Sequence, residues 1–228
     1  MKRIVQPELL DTLPPDDPRA QHSRRDLQRI NWWMRNPEIM AETLKNFSPA
    51  APQQITELGA GDGKFLLRVA QKLSSRWAKM RVTLLDLQSN VSAESLVEFS
   101  AFGWRAKTIV ADVFDGIPDS AAEQVVIANL FLHHFEDARL SELLGKISVQ
   151  TKLFIAVEPR RFSPASFVRP LLWLIGCNEV TRHDAVVSIH AGFSGAEISA
   201  LWADKKNWKL TERRAGLFSH LFMARRRE

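Results

Sequence analysis

The sequence predicts an α/β protein built on a doubly wound, mainly parallel sheet, with helices capping its start and an antiparallel hairpin closing its end. Three observations carry this. From residue 54 onward, short β-branched runs alternate with segments of helical period, the pattern of repeated strand-helix units. The first unit turns through a glycine-rich loop, "ELGAGDGKF". The last two runs, "NWKLTERRAG" and "LFSHLFMARR", meet around Ala215-Gly216 with no helical segment between them, which makes them a hairpin.

Residues 1–52 read as an N-terminal helical cap. "DTLPPDDPRAQ" is proline-rich and acidic; beyond it Leu27, Ile30 and Met34 share one helical face, and Ile39, Met40 and Leu44 share a face of a second helix entered at Pro37. Residues 53–228 read as the ligand-binding domain, packed with the cap into one compact unit. Its strands fall at "QITEL", "RVTLLDL", "AKTIVAD", "QVVIANL" and "KLFIAVEP", separated by helices in "FLLRVAQKLSS", "SAESLVEFSAFG" and "EDARLSELLGKIS". An insertion with a helix from about Ser166 then leads to "SGAEISALWAD" and the hairpin. The most apolar window, "FVRPLLWLIG" from Phe167 to Gly176, is shorter than the ~17–25 residues of a membrane span and carries Arg169 and Pro170, so it reads as a covering helix or the wall of a binding site.

Composition narrows the class. With 45% apolar and 25% charged residues, the chain has the balance of a soluble globular protein rather than a disordered or fibrous one. The single cysteine, Cys177, excludes an internal disulfide and a cysteine-rich metal site, so no metal is expected, and it fits a reducing, cytoplasmic setting. The first residues, "MKRIVQPELLDTLPP", lack the apolar stretch and small-residue cleavage site of a secretory signal. The net charge of +5 is spread over separate basic clusters, at Arg24/Arg25/Arg29, Arg160/Arg161, Arg213/Arg214 and Arg225 to Arg227. These read as solvated faces rather than one phosphate-tracking surface, so no nucleic-acid partner is expected. Nothing in the sequence marks an oligomeric state.

In an open parallel sheet, ligands sit beyond the carboxyl ends of the strands where strand order reverses. The residues that end the expected strands are Glu57, Leu58 and Gly59, then Asp86, Asp112, Asn129 and Glu158, a row of polar groups at one rim. Gly59, Gly61 and Gly63 let main chain approach a ligand, and the helix that follows directs its N-terminal N–H groups at any anionic part. The spacing is G-x-G-x-G rather than the G-x-G-x-x-G of a dinucleotide loop, and Gly63-Lys64 is followed by Phe65 rather than the Ser or Thr of a triphosphate loop. Asp62 also sits inside the turn. A carboxylate ~4 Å from a phosphate costs on the order of 4 kcal/mol at an effective dielectric near 20, a penalty that a nucleoside sulfonium does not incur. Asp86 stands where an acidic side chain can accept from both ribose hydroxyls, and Asp112 with the Val113 amide suits the exocyclic amine and ring nitrogen of adenine.

Taken in order, "ELGAGDGKF", "LLDL", "ADVFD" and "VVIANLFLHHFED" resemble the successive motifs of class I S-adenosylmethionine-dependent methyltransferases, over roughly residues 53 to 160. The resemblance implies a Rossmann-like, seven-stranded sheet and S-adenosyl-L-methionine as cofactor. It implies that Glu57 organises the glycine loop and meets the methionine amine, that Gly59, Gly61 and Gly63 pass beside the cofactor, and that Asp86 and Leu87 lie at the ribose. It also implies that Asp112 and Val113 hold adenine and that Asn129 and Leu130 line the methionine and sulfonium portion.

The stretch after the fourth strand, Asn129-Leu130-Phe131-Leu132, departs from the N/D-P-P-Y/F segment of amino-group methyltransferases; "NLFLHHFED" looks instead like that of small-molecule and quinone-type enzymes. The expected partner is therefore a small acceptor methylated on oxygen or an activated carbon. The alternatives are an RNA methyltransferase and a non-catalytic cofactor-binding protein. A phenol or enol acceptor must lose a proton, a task suited to histidine. His133 is the expected base and His190 the alternative, with His134 and His183 nearby in sequence; the chain has no tyrosine. Trp32, Trp33, Phe131, Phe162, Phe167 and Trp173 are candidates for an apolar acceptor wall.

Overall fold

The protein was described from a computed structural model, which covers residues 2–14, 16–47, 51–88, 90–115, 125–163 and 165–227. Among these residues, the strands are β1 (Gln54–Leu58), β2 (Arg81–Asp86), β3 (Arg105–Val110), β4 (Val125–Asn129), β5 (Leu153–Pro159), β6 (Trp208–Ala215) and β7 (Ser219–Arg226). They form one sheet in the order β3-β2-β1-β4-β5-β7-β6, parallel through β5, with β7 antiparallel to both neighbours. The expected hairpin is thus present, inserted so that β7 rather than β6 joins β5. Strand order reverses on either side of β1, and that switch point opens a crevice at the carboxyl ends of β1 and β4.

The helices are α1 (Leu9–Thr12), α2 (Pro18–Met34), α3 (Asn36–Phe47), α4 (Lys64–Leu73), α5 (Ala93–Ala101), α6 (Asp137–Gln150), α7 (Val168–Leu174), α8 (Glu179–Ala191) and α9 (Glu197–Leu201). Central strands are buried on both faces, which is why their sequences are continuously apolar rather than alternating. Ile155 and Val157 face Met40 and Leu44 of α3 and the apolar stripe of α4, while Phe154 and Ala156 belong to the opposite core with Leu140, Leu144 and Ile147 of α6. Both layers therefore clamp β1, β4 and β5, and hold their carboxyl ends in fixed register. No helix among the described residues is long and apolar enough to cross a membrane.

Two elements differ from the sequence reading. β3 ends at Val110, so Asp112 lies two residues beyond it in a turn rather than at the strand end. Residues 179–191 form the full helix α8, which carried no helical stripe because Val180, Thr181, Asp184, Val187, Ile189 and Ala191 are buried around its circumference. α7, the apolar window, buries only Leu172 and exposes Phe167 just before it, Leu171, Trp173 and Leu174.

Residues 2–47 are tied to the rim through α8 and the strand ends. The Ile4 N–H donates to the His190 carbonyl, Arg3 donates to the carbonyls of Phe135 and Ala191, and Asp184 accepts from the N–H groups of Leu9 and Leu10. Asp26, fully buried on α2, accepts from the Asn178 N–H and the Thr181 hydroxyl. Asn36 at the start of α3 is wholly buried: its Nδ2 donates to Asn129 Oδ1 at 2.9 Å and its Oδ1 accepts from Ser219 Oγ at 2.6 Å. One amide thereby joins the cap, the end of β4 and the start of β7. Asn36→Ala should cost about 1–3 kcal/mol, because it removes two buried hydrogen bonds and strands the Asn129 carbonyl. Urea unfolding reads the loss, and an unchanged midpoint would show that the amide bridge contributes nothing.

Candidate functional site

The glycine loop leaves β1 and returns to α4 in five residues, with Gly59, Gly61 and Gly63 all in the left-handed region at φ of 67°, 54° and 74°. The three glycines meet different surroundings. A Cβ on Gly59 would lie 2.2 Å from Cδ2 of Phe131, so this glycine makes room for an aromatic ring of the loop after β4. A Cβ on Gly61 would meet no atom within 4 Å; Gly63 packs toward Leu84 and Val91. The open approach is therefore at Gly61. Asp62 turns its carboxylate outward, accepting from Gln28 Nε2 of α2 at 3.2 Å and from the Lys64 N–H at 3.1 Å.

Beneath the loop lies Glu57, 1% exposed, with Oε2 making no hydrogen bond. Burial above all, reinforced by the charges of Asp62 and Asp86, pushes its carboxyl well above the usual 4.5. A buried acceptor without a donor costs free energy that a cationic or N–H-bearing ligand would recover. Asp86 at the end of β2 accepts from the Gly61 N–H at 2.8 Å and the Gln88 N–H at 2.9 Å. It thus shapes the loop as well as facing the rim, a second task that the sequence reading did not assign. Leu87 beside it leaves 68% of its surface in solvent. Asp112 accepts from the Phe114 N–H at 2.9 Å, and Val113 is buried.

The loop after β4 is set by a single carboxylate. Glu158 is fully buried and accepts from the N–H groups of Phe131, Leu132 and His133 at 2.9–3.3 Å, while its Oε2 lies 2.9 Å from His133 Nδ1. The preceding Leu130 is held at φ +52°, a left-handed conformation unfavourable for a leucine, with its N–H on the Val157 carbonyl. Asn129, mostly buried, faces the Asn36 amide.

His133 is buried between two carboxylates, since its Nε2 lies 3.5 Å from Glu8 Oε1, and Glu8 also takes the Ser188 hydroxyl. Burial alone would lower its pKa, but the hydrogen bonds and charges of Glu158 and Glu8 outweigh it and raise the imidazole to about 9. In this arrangement His133 is an imidazolium near neutral pH, so the expected base has no free lone pair while Glu8 stays in place. His134, its ring 4.2 Å from that of His133, is pushed the other way by desolvation and by the His133 charge, to about 4.

Against the expectation of no metal site, donor atoms of Glu8, His133 and His134 converge within 4.8 Å, an approach that the Glu8–His133 ion pair already explains. His190 sits in the last turn of α8, where its carbonyl accepts from Ile4; His183 pairs with Asp184. Of the aromatics, Phe131 stacks edge-on with Phe135 inside the site, whereas Trp33, Phe167 and Trp173 are exposed and the Trp32 side chain lies outside the described residues. Glu8, Asn36 and Ser219 were not singled out from sequence. Their roles arise from contacts across more than 90 residues of chain, which no local pattern announces.

No protein-family model and no curated protein sequence matches this chain. Solved structures do. The plantazolicin methyltransferase BpumL in complex with SAH superposes with a TM-score of 0.65 at 15% identity, over 93% of this chain and 92% of that one. The mitomycin 7-O-methyltransferase MmcR matches with a TM-score of 0.60 at 19% identity, over 96% of this chain and 60% of that one. An O-methyltransferase structure described as putative, from Nostoc punctiforme, matches at 0.63 and 15% identity, over 90% of this chain and 60% of that one. The chain shares the fold of these proteins, and spans about 60% of the length of the latter two.

The imidazole geometry makes a pH prediction. A folded pKa above the ordinary 6.5 means that His133 adds stability which is complete below pH 6.5 and is lost as pH rises through about 9. An NMR titration should show one histidine with a midpoint near that value, and Glu8→Gln should move the midpoint down while weakening the alkaline loss of stability. A midpoint unmoved by Glu8→Gln would remove Glu8 from the cluster.

Proposed function

We propose that this chain is an S-adenosylmethionine-dependent methyltransferase acting on oxygen or an activated carbon of a small aromatic or lipophilic acceptor. The observation that carries the reading is Glu57: a fully buried carboxylate with an unpartnered oxygen, under an open left-handed glycine at the switch point of this fold. An acceptor so placed fits an ammonium donor, and the α-amino group of S-adenosylmethionine is one. The acidic rim disfavours the diphosphate of a dinucleotide, which would meet Glu57, Asp62 and Asp86 together. The fold shared with BpumL and MmcR supports the same reading.

When bound, S-adenosylmethionine supplies a methyl group activated by its sulfonium. Glu57 would accept from the ammonium, and Asp86 from the ribose hydroxyls with the lone pairs that Gly61 and Gln88 leave. Asp112 and Val113 would meet adenine, Leu87 would be covered by the nucleoside, and Asn129 with Leu130 would line the methionine portion. Gly61 and Gly63 would lend main chain, while Gly59 keeps Phe131 in place at the edge of the reacting groups. The protein's task is to hold the acceptor in line and exclude water.

His133 remains the residue best placed to take the acceptor proton, since Glu158 fixes Nδ1–H and leaves Nε2 as the exchanging position. For this, the acceptor must displace Glu8 from Nε2, which would lower the imidazole pKa toward its ordinary value. His190 offers no comparable setting, because no carboxylate among the described residues orients its ring.

Calorimetry tests the reading: S-adenosylhomocysteine should bind and NAD should not. Glu57→Gln should weaken S-adenosylhomocysteine about tenfold or more, the scale of a hydrogen bond to a charged group. The same variant should melt at a higher temperature at neutral pH. A raised carboxyl pKa withdraws stability as pH climbs above the unfolded value of 4.5, so the gain should vanish as pH falls to that value. Binding of NAD with no response to S-adenosylhomocysteine would sink the proposal.

A further inference from the structure

Two basic clusters that are 53 residues apart in sequence meet in the fold. Arg160 and Arg161 follow β5, and Arg213 and Arg214 close β6; pairing of β5 with β7 and of β7 with β6 brings these ends to the same carboxyl rim, with Glu158 opposite His220 and His220 opposite Arg214. A cavity of about 420 Å³ opens between them, with all four arginines in its wall.

The charges in this wall do not cancel. Arg161 is committed, donating to the Gly192 carbonyl, Ser194 Oγ and Glu197. Glu212 is committed too, accepting from His220 Nε2 and from the N–H groups of Ile198 and Ser199. Arg213 folds back onto the Arg214 carbonyl at 3.2 Å. Neither Arg160 nor Arg214 pairs with a carboxylate among the described residues, and Arg160 Nη1 is buried with no hydrogen-bond acceptor. Burial and the nearby charge of Arg214 push the Arg160 guanidinium down, as expected of two cations facing one space. The Arg160 guanidinium also lies 5.4 Å from the Phe162 ring, which neighbours Phe218. A half-buried guanidinium with one buried nitrogen that meets no acceptor parallels the unpartnered oxygen of Glu57: its fork suits a planar two-oxygen anion.

The cavity opens at the same strand end that carries Glu158. Arg160 is two residues past Glu158 on extended chain, a separation of about 7 Å, and Glu158 holds His133. We propose that this cavity binds the anionic group, a carboxylate or a phosphate, of the acceptor whose hydroxyl or enol faces His133. The inference rests on the methyltransferase reading for the identity of that acceptor, and on the arginine geometry alone for the anion.

The test is anion binding by the full chain, followed by thermal shift and calorimetry at constant ionic strength, with benzoate and inorganic phosphate as probes and chloride as control. Benzoate or phosphate should stabilise the protein saturably, and the stronger of the two identifies the group. Arg160→Gln and Arg214→Gln should each weaken that response by about tenfold, the scale of one charge-assisted hydrogen bond. Both variants should keep wild-type affinity for S-adenosylhomocysteine and, having lost a mutual repulsion, should melt no lower than wild type without anion. A wild-type response no larger than that to chloride overturns the proposal, as does a response that survives both substitutions. Tighter binding of a twelve-nucleotide RNA than of either probe, lost in the same variants, overturns the assignment to a small acceptor. Failure of S-adenosylhomocysteine to bind falls on the methyltransferase reading; anion failure with intact S-adenosylhomocysteine binding falls on this inference alone.

Discussion

The candidate site depends on the Glu158 carboxylate. Three backbone N–H groups and the His133 ring converge on it at the end of β5, where it is fully buried. Complete burial of this carboxylate is offset by its coordination, because the oxygens taken from water are met by four N–H or ring-nitrogen contacts. Its consequence is geometric. The loop after β4 can take only the path that brings residues 131–133 to this point, and that path forces Leu130 into the left-handed region and lays Phe131 over Gly59. The glycine loop and the histidine loop are therefore one construction, joined at a ring-on-backbone contact and anchored from a third strand.

This explains why the sequence told so much about the fold and only part of the site. β1, β2, β4 and β5 were legible because strands buried on both faces need continuous apolar runs, and the hairpin because no helical period lies between its strands. α8 was not, since a helix contacted on several sides has no stripe. In the site, Glu57, Gly61 and Asp86 announced themselves by local spacing. The actual partner of Gly59 did not: that Phe131 rather than a ligand fills the space beside it depends on Glu158, 99 residues further on. Likewise the chemistry of His133 could be named from its residue type, but its protonation state is set by Glu8 and Glu158, one from each end of the described cap and sheet.

The cap adds a constraint of its own. Arg3 and Ile4 are laced to backbone carbonyls beside the histidines, Glu8 sits on His133, Gln28 on the glycine loop, and Asn36 on Asn129. Each of these contacts ends on a residue of the rim rather than on the far side of the sheet. Alongside the packing of α3 on the core, these contacts both hold residues 2–47 in place and enclose the candidate site, and on the proposed function admission of an acceptor would proceed by exchanging some of them. Glu8 is the contact most open to exchange, because its departure leaves His133 still paired through Nδ1 with Glu158 and so strands no buried charge.

The rim is also electrically divided. Glu57, Asp62 and Asp86 gather at β1 and β2, while Arg160, Arg213 and Arg214 gather beyond β5, with the Glu158–His133 pair between them. Each pole holds buried atoms without a partner, Oε2 of Glu57 at one and Nη1 of Arg160 with Nδ1 of His220 at the other. The two groups cannot satisfy each other across the intervening strands, so each pole favours a ligand of opposite sign. A cationic methyl donor at the acidic pole and an anionic acceptor at the basic pole would approach one another over the central pair. Methyl transfer between a sulfonium and a deprotonated oxygen annihilates the charges of the reacting atoms. A dry, low-dielectric cleft favours that loss of charge, whereas water would stabilise the separated ions. On the proposed function, the unpartnered atoms that are costly in the unliganded chain, Oε2 of Glu57 and Nη1 of Arg160, would then be the ones that draw the two reacting ligands together.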